Sequence, residues 1–204
     1  MNALMRFLLM SREEKKRAVC RRAYRVLHKR QFGQLGKHSY IWNPLLVLNR
    51  KYMYIGTECS IYPMARIECI TDWGGAVFSP RLQIGDCCAF GQQLHMTCAN
   101  EIVIGNHVTI SARALITDIH HSYEEIDVPA LSQKLETSPV AIGDNSWIGV
   151  NVAILPGVKI GRNVVVGANS VVTGDLPDDC VAAGNPARVI KRYDRIKNKW
   201  VRVL

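Results

Sequence analysis

No run of apolar residues in this chain approaches the roughly 18 needed to cross a bilayer as a helix. The early stretch Ala3 to Met10 is interrupted by Arg6 and lacks a small-residue cleavage site. It therefore does not read as a secretory signal, and a cytoplasmic protein is expected. Cysteine occurs seven times, an odd number, and never as Cys-x-x-Cys, which argues against both a disulfide framework and a metal site. Cys59 and Cys88 read as core filler, and the neighbours Cys87 and Cys88 should point to opposite faces of a strand. A net charge of +9 comes without any recognised nucleic-acid-binding motif, so no nucleic-acid partner is expected.

What the chain does have is a period. From Ile142 onward an aliphatic residue falls at every sixth position: Ile142, Ile148, Ile154, Ile160, Val166 and Val172. Four residues after each comes a small or β-branched side chain, as at Ser146, Val152, Val158 and Val164. A helix would space its apolar residues by three and four, and a half-buried strand by two. A strict six instead fits short strands that turn corners, three faces and eighteen residues to a coil, an all-β solenoid. The register recurs at Ile55, Ile61, Ile67, at Ile84, Phe90, Met96, and at Ile104, Ile110, Ile116. Between these blocks it slips, and slips mark loops thrown out of the coil. The largest, at about 119–139, is long enough to be either functional or disordered.

The charge is unevenly placed. Residues 1–37 hold eleven Lys or Arg against two acids, residues 38–187 eight against fourteen, and residues 188–204 seven against one. Three segments are expected within one domain: a basic helical arm at 1–37, the coil at 38–187, and a short basic tail at 188–204. In the arm, Ser11 and Glu14 match a capping box that opens a helix running to about Arg30. Ala18, Val19, Ala23, Val26 and Leu27 give it an apolar stripe. Such a helix either packs on one end of the coil with its basic face in water or docks on an anionic membrane or saccharide, which would make the protein peripheral at the inner face of the membrane.

The segment IGDNSWIGVNVAILPGVKIGRNVVVGANSVVTGDLPDDCVAAGNPARVI resembles the C-terminal half of the hexapeptide-repeat acyltransferases. The similarity covers about Ile84 to Ile190. It is strongest to the branch holding the maltose and galactoside and the lipopolysaccharide and capsule polysaccharide O-acetyltransferases. The resemblance implies a left-handed parallel β-helix, a homotrimer, acetyl-coenzyme A bound in a groove between subunits, and a long loop closing over that groove. It implies a saccharide acceptor and no metal.

Transfer of an acetyl group to a hydroxyl needs a base, a stabilised oxyanion and two aligned substrates. Histidine suits the base, being mostly neutral near pH 7 yet able to accept a proton. The family pattern Asp-His-x-His-x-Tyr is met here by TDIHHSY, with Asp118, His121 and Tyr123 matching and Ile119 in place of the first histidine. His121, seventeen residues after Ile104, is the expected base, and His120 is the alternative, since a one-residue shift exchanges the faces. Asp118 either fixes the base's tautomer or caps the loop. By the same resemblance, Trp147, Gly149, Val150, Ala168 and Thr173 would meet the acyl donor, and Arg188 and Lys191 its phosphates, although Gly174 stands where a lysine is common. Where the maltose and galactoside enzymes carry an acceptor-binding asparagine, this chain has Gly91, Gln92 and Gln93, with His95 nearby. Gln92, Gln93, His95 and Tyr123 are therefore candidates for an acceptor that is a polysaccharide or its lipid- or nucleotide-linked precursor. Three other functions suit such a coil: a sugar-amine or antibiotic acetyltransferase, a γ-class carbonic anhydrase, or a non-catalytic binding or assembly module. The second lacks its His-x-x-x-x-His pair here.

Overall fold

A computed structural model describes residues 11–203, apart from the side chains of Glu13, Glu14, Lys16, Arg17 and Arg21. The stretch Ala3 to Met10 and the Glu14 half of the expected capping box lie outside the described residues.

The six-residue period becomes three parallel sheets that the chain visits in turn. Ile142 lies in the first sheet, in Val140–Ile142. Ile148 lies in the second, in Trp147–Ile148, and Ile154 in the third, in Ala153–Ile154. Eighteen residues later the chain returns to each: Ile142 pairs with Ile160, Ile148 with Val166 and Ile154 with Val172. All six side chains are buried. They stack in columns down the centre, where each fully buried aliphatic contributes about 1.5–3 kcal/mol. One coil was not foreseen. Leu35, Ile41 and Val47 keep the same spacing and pair with Ile55, Ile61 and Ile67. The stack therefore starts at Gln34, inside the span assigned to the arm.

The corners explain the small residues. At Gly149 an added Cβ would sit 2.7 Å from the Ala168 amide nitrogen of the next coil, so nothing larger fits without moving backbone. Between Ser146 and Ser170 the position four after each aliphatic is buried. At Ser39 and Ser146 its hydroxyl bonds a corner carbonyl of a neighbouring coil: Ser39 Oγ donates to Gly56 O and Ser146 Oγ to Gly161 O. Cys59 and Cys88 do the same through Sγ, toward Gly85 O and Gly105 O. They are buried and Cys87 is exposed, as expected for adjacent strand residues.

The arm is a helix, Arg12–His28. Its partly buried Tyr24 packs against the core, while Val19, Val26 and Leu27 of the expected apolar stripe are exposed. Burial pushes the Tyr24 hydroxyl up to about 12. Among the described residues no helix is long and apolar enough to cross a membrane. At the other end, the basic tail forms a β-hairpin. Ala187–Asp194 and Lys199–Arg202 join the second sheet antiparallel, after Cys180–Gly184.

Candidate active site

Two excursions leave the third sheet on the same side. The longer follows Leu115–Thr117 and opens as an antiparallel hairpin, Ile119–His121 against Leu135–Thr137. Its irregular part is tied internally by the buried Gln133, whose side-chain amide donates to Glu125 O (2.9 Å) and Val128 O (2.7 Å) and accepts from Glu125 N (3.1 Å). Asp118 anchors the root. It is fully buried, and its two oxygens accept from the Ala99 and Asn100 amides at 2.8 Å each. Of its two anticipated roles, these bonds are those of a loop cap. Burial nevertheless holds its pKa above the usual carboxylate value, opposed by the amide bonds.

Strand alternation separates the two histidines. His120 is exposed and lies edge-on to the Tyr123 ring at 5.5 Å, whereas His121 is half-buried and meets Trp73 edge-on at 5.1 Å. Trp73 comes from the shorter excursion, a small hairpin of Asp72–Trp73 and Ala76–Val77. That excursion is the seventeen-residue slip between Ile67 and Ile84.

Beneath these rings is a cleft of about 370 Å³, lined among others by Arg66, Glu68, Trp73, His95, Thr97 and His121. The sheet residues occupy outward positions of the neighbouring strands Arg66–Cys69 and His95–Cys98, with Arg66 in register with His95 and Glu68 with Thr97. Glu68 is 7% exposed and ion-paired to Arg66. His95 Nε2 stands 3.9 Å from the Glu68 carboxylate. Its pKa is lowered, first by burial and then by the Arg66 charge, with Glu68 opposing. Among the described residues, three polar atoms of this cleft are buried without a hydrogen-bond partner: His121 Nδ1, His95 Nε2 and Trp73 Nε1.

The other expected residues lie elsewhere. Gln92, Val150 and Ala168 follow one another along the edge between the second and third sheets. Arg113 N donates to Gln92 O, Asn151 N to Ala112 O and Asn169 N to Val150 O, coil upon coil. Gly149 is buried on that edge, and Gln93 is at its corner with φ 58°. Trp147 projects from the second sheet, 55% exposed, its Nε1 donating to Ser111 Oγ at 3.2 Å. Thr173 follows Val171–Val172 of the third sheet and is exposed. Arg188 and Lys191 lie on the C-terminal hairpin. The structure thus brings His95 and His121 into one cleft but not His120, Gln92, Gln93 or Tyr123. Glu68, Arg66 and Trp73 were missed. The register slip flagged the excursion that carries Trp73, but no spacing marked the outward residues beside Ile67. A separate shallow hollow of about 420 Å³ runs along the helix beside Val19, Arg22 and Val26 and shares no residue with the cleft. Among the described residues no three His, Cys, Asp or Glu are grouped to hold a metal ion.

Residues 139–174 match the family described as bacterial transferase hexapeptide (six repeats). Over 134 residues the chain is 38% identical to an Escherichia coli (strain K12) protein named for O-acetyl transfer in lipopolysaccharide biosynthesis, covering 62% of this chain and 65% of that one. Over 106 residues it is 39% identical to the galactoside O-acetyltransferase of the same strain, covering 52% and 48%. The chain therefore spans less than two thirds of the length of either relative. A hexapeptide-repeat acetyltransferase of Vibrio cholerae O1 biovar eltor, solved with acetyl coenzyme A, superimposes with a TM-score of 0.59 at 26% identity, over 91% of this chain and 80% of that one. Residues 139–174 carry the bacterial transferase hexapeptide repeat, and in sequence and fold the chain is similar to the hexapeptide-repeat acyltransferases.

Proposed function

We propose that the protein is an acetyl-coenzyme A-dependent O-acetyltransferase that modifies a sugar hydroxyl of a cell-envelope polysaccharide, or of its lipid- or nucleotide-linked precursor. The observation that carries this is His121. It is the one of two adjacent histidines that faces a cleft, and it does so at the mouth of the long loop in a hexapeptide-repeat coil. Acetyl-coenzyme A supplies the activated acyl group. His121 takes the proton of the acceptor hydroxyl as its oxygen forms the new C–O bond to the thioester carbonyl, and returns that proton to the departing thiolate as the C–S bond breaks. Asp118 serves by pinning the strand that carries His121, and His120 faces away. Nδ1 of His121 has no partner among the described residues, leaving its tautomer to be set when substrates bind.

The coil is taken as left-handed and the working enzyme as a homotrimer. One feature of the single chain favours an assembly. Trp147, expected at the acyl donor, leaves the second sheet, and His121 stands over the third, an arrangement that a neighbouring copy would complete by bringing its Trp147 face to this chain's base. Gly149, Val150 and Ala168 would offer backbone to the pantetheine, Thr173 a hydroxyl at the adjacent edge, and Arg188 and Lys191 charge to the nucleotide phosphates. An acyl-coenzyme A donor supports a cytoplasmic reaction. The helical arm that precedes the coil is read as a peripheral contact with anionic membrane, supported by the exposed Val19, Val26 and Leu27 beside Arg22. Liposome binding should then fall with added salt and with removal of the arm.

The reaction is tested by thiol release from acetyl-coenzyme A across a panel of saccharides. Release that is stimulated by an acceptor and lost in His121→Ala is expected. Equal release from a folded His121→Ala protein would discard His121 as the base.

A further inference from the structure

Outward positions on a solenoid face are normally open to water, yet Glu68 is buried and three polar atoms around it have no partner. The excursion bearing Trp73 and the hairpin bearing His121 fold over this face. A buried polar atom left without a partner is destabilising. Three of them, among the described residues, in one cleft of about 370 Å³ with Glu68 fit a site completed by its ligand. Arg66 is the basic side chain of the lining, and it is already paired with Glu68. The cleft therefore holds no spare positive charge for a phosphate or carboxylate. What it presents is an indole, a carboxylate already half-neutralised and two imidazoles, a set that suits a ligand with hydroxyls on its rim and C–H bonds on its face.

We infer that this cleft is the acceptor subsite and that it takes an uncharged pyranose unit. Trp73 packs against the apolar face of the ring, Glu68 accepts hydrogen bonds from its hydroxyls, His95 pairs with a further hydroxyl, and the hydroxyl to be acetylated is presented to His121. The inference rests on the acyltransferase reading for the role of His121. It moves acceptor recognition from Gln92, Gln93 and Tyr123 to Glu68 and Trp73, residues on no expected motif.

The test uses the full chain with methyl glycosides of glucose, galactose and rhamnose as probes, and saturation-transfer NMR for binding. At least one glycoside is expected to bind the wild type, and its affinity to fall about tenfold or more in Glu68→Gln and in Trp73→Ala. Trp73→Phe, which keeps an aromatic face, should restore most of it, separating a platform from a folding defect. In thiol-release assays with the same glycoside, the acceptor KM should rise in parallel while the KM for acetyl-coenzyme A stays within about twofold. Unchanged glycoside affinity in both variants, or no binding of any probe to the wild type, overturns the subsite. Binding that depends on Glu68 and Trp73 without thiol release from any acceptor supports the subsite and sinks the acyltransferase reading instead.

Discussion

The coils between Ile142 and Val172 and those between Leu35 and Ile116 are built on the same three columns, but only the second set is interrupted. In the first, each aliphatic is followed by another six residues on, and corner stacks upon corner with no room for an insertion. In the second, the chain leaves the third sheet after Cys69, and it leaves again after Thr117 where the second set meets the first. The two departures meet over one face, where Trp73 touches His121. The regular coils are the scaffold, and the candidate site gathers where the repeat is broken.

That division can be challenged by substitution on each side of it. His121→Ala, on the excursion, should lower kcat by about 10²–10⁴-fold with little change in melting temperature, because the side chain is half-buried and without a partner at Nδ1. His120→Ala, one residue away on the exposed face, should leave kcat close to the wild type. Ile154→Ala, in the regular set, should do the reverse. It empties a column between Ile116 and Val172 and should cost about 2–5 kcal/mol of stability. Denaturant unfolding alongside single-turnover acetyl transfer measures both. A kcat loss in folded Ile154→Ala as large as that of His121→Ala would erase the distinction between scaffold and site.

Asp118 sits on the boundary between the two regions. Asp118→Ala leaves the amides of Ala99 and Asn100 without their acceptors, a loss of about 1–3 kcal/mol. The damage should be local. Amide exchange should rise in 119–137 and stay slow in 142–172, and kcat should fall because His121 loses its anchor. Uniform acceleration of exchange through both regions would show Asp118 to be part of the scaffold rather than the root of the loop.

The period of six made the columns legible in the sequence itself, because burial on three faces leaves no other register for short strands. Its breaks announced both excursions. The coil at Leu35, Ile41 and Val47 has the same spacing but went unread. A 3-10 turn at Arg50–Tyr52 lies between it and the next coil and makes the step from Val47 to Ile55 eight residues in place of six. The C-terminal hairpin hid for a related reason. Its strands are half basic, so the antiparallel extension of the second sheet looked like a charged tail. In the cleft, His121 was legible through its distance from Ile104, but Glu68 was not. A glutamate next to a buried isoleucine on an outward strand position is ordinarily a solvated charge. It becomes buried here only because an insertion elsewhere in the sequence folds across it. Spacing reports what repeats, and the cleft proposed for the acceptor comes from a contact between two segments that do not.

The smallest effect concerns the titration of His95, where the same asymmetry should be visible as a pH dependence. Its pKa in the folded protein lies below the ordinary 6.5, chiefly because burial disfavours the imidazolium and Arg66 repels it. The folded state therefore binds fewer protons than the unfolded chain once the pH falls below about 6.5. Stability should decline as pH drops from there through the lowered folded value, and above 6.5 this residue adds no slope. Groups facing it bear on the sign: Arg66 pushes the same way as burial, Glu68 the opposite way. Glu68→Gln should deepen the decline by removing the carboxylate that favours the cation, whereas His95→Gln should flatten the His95 part of the curve. Because His95 is partly open to water, the change is expected to be small, read by denaturant unfolding between about pH 5 and 7. A steeper acid loss in Glu68→Gln than in the wild type would place His95 and Glu68 in one electrostatic unit. Identical curves would mean that the 3.9 Å approach carries no coupling, and Glu68 would then read the acceptor alone.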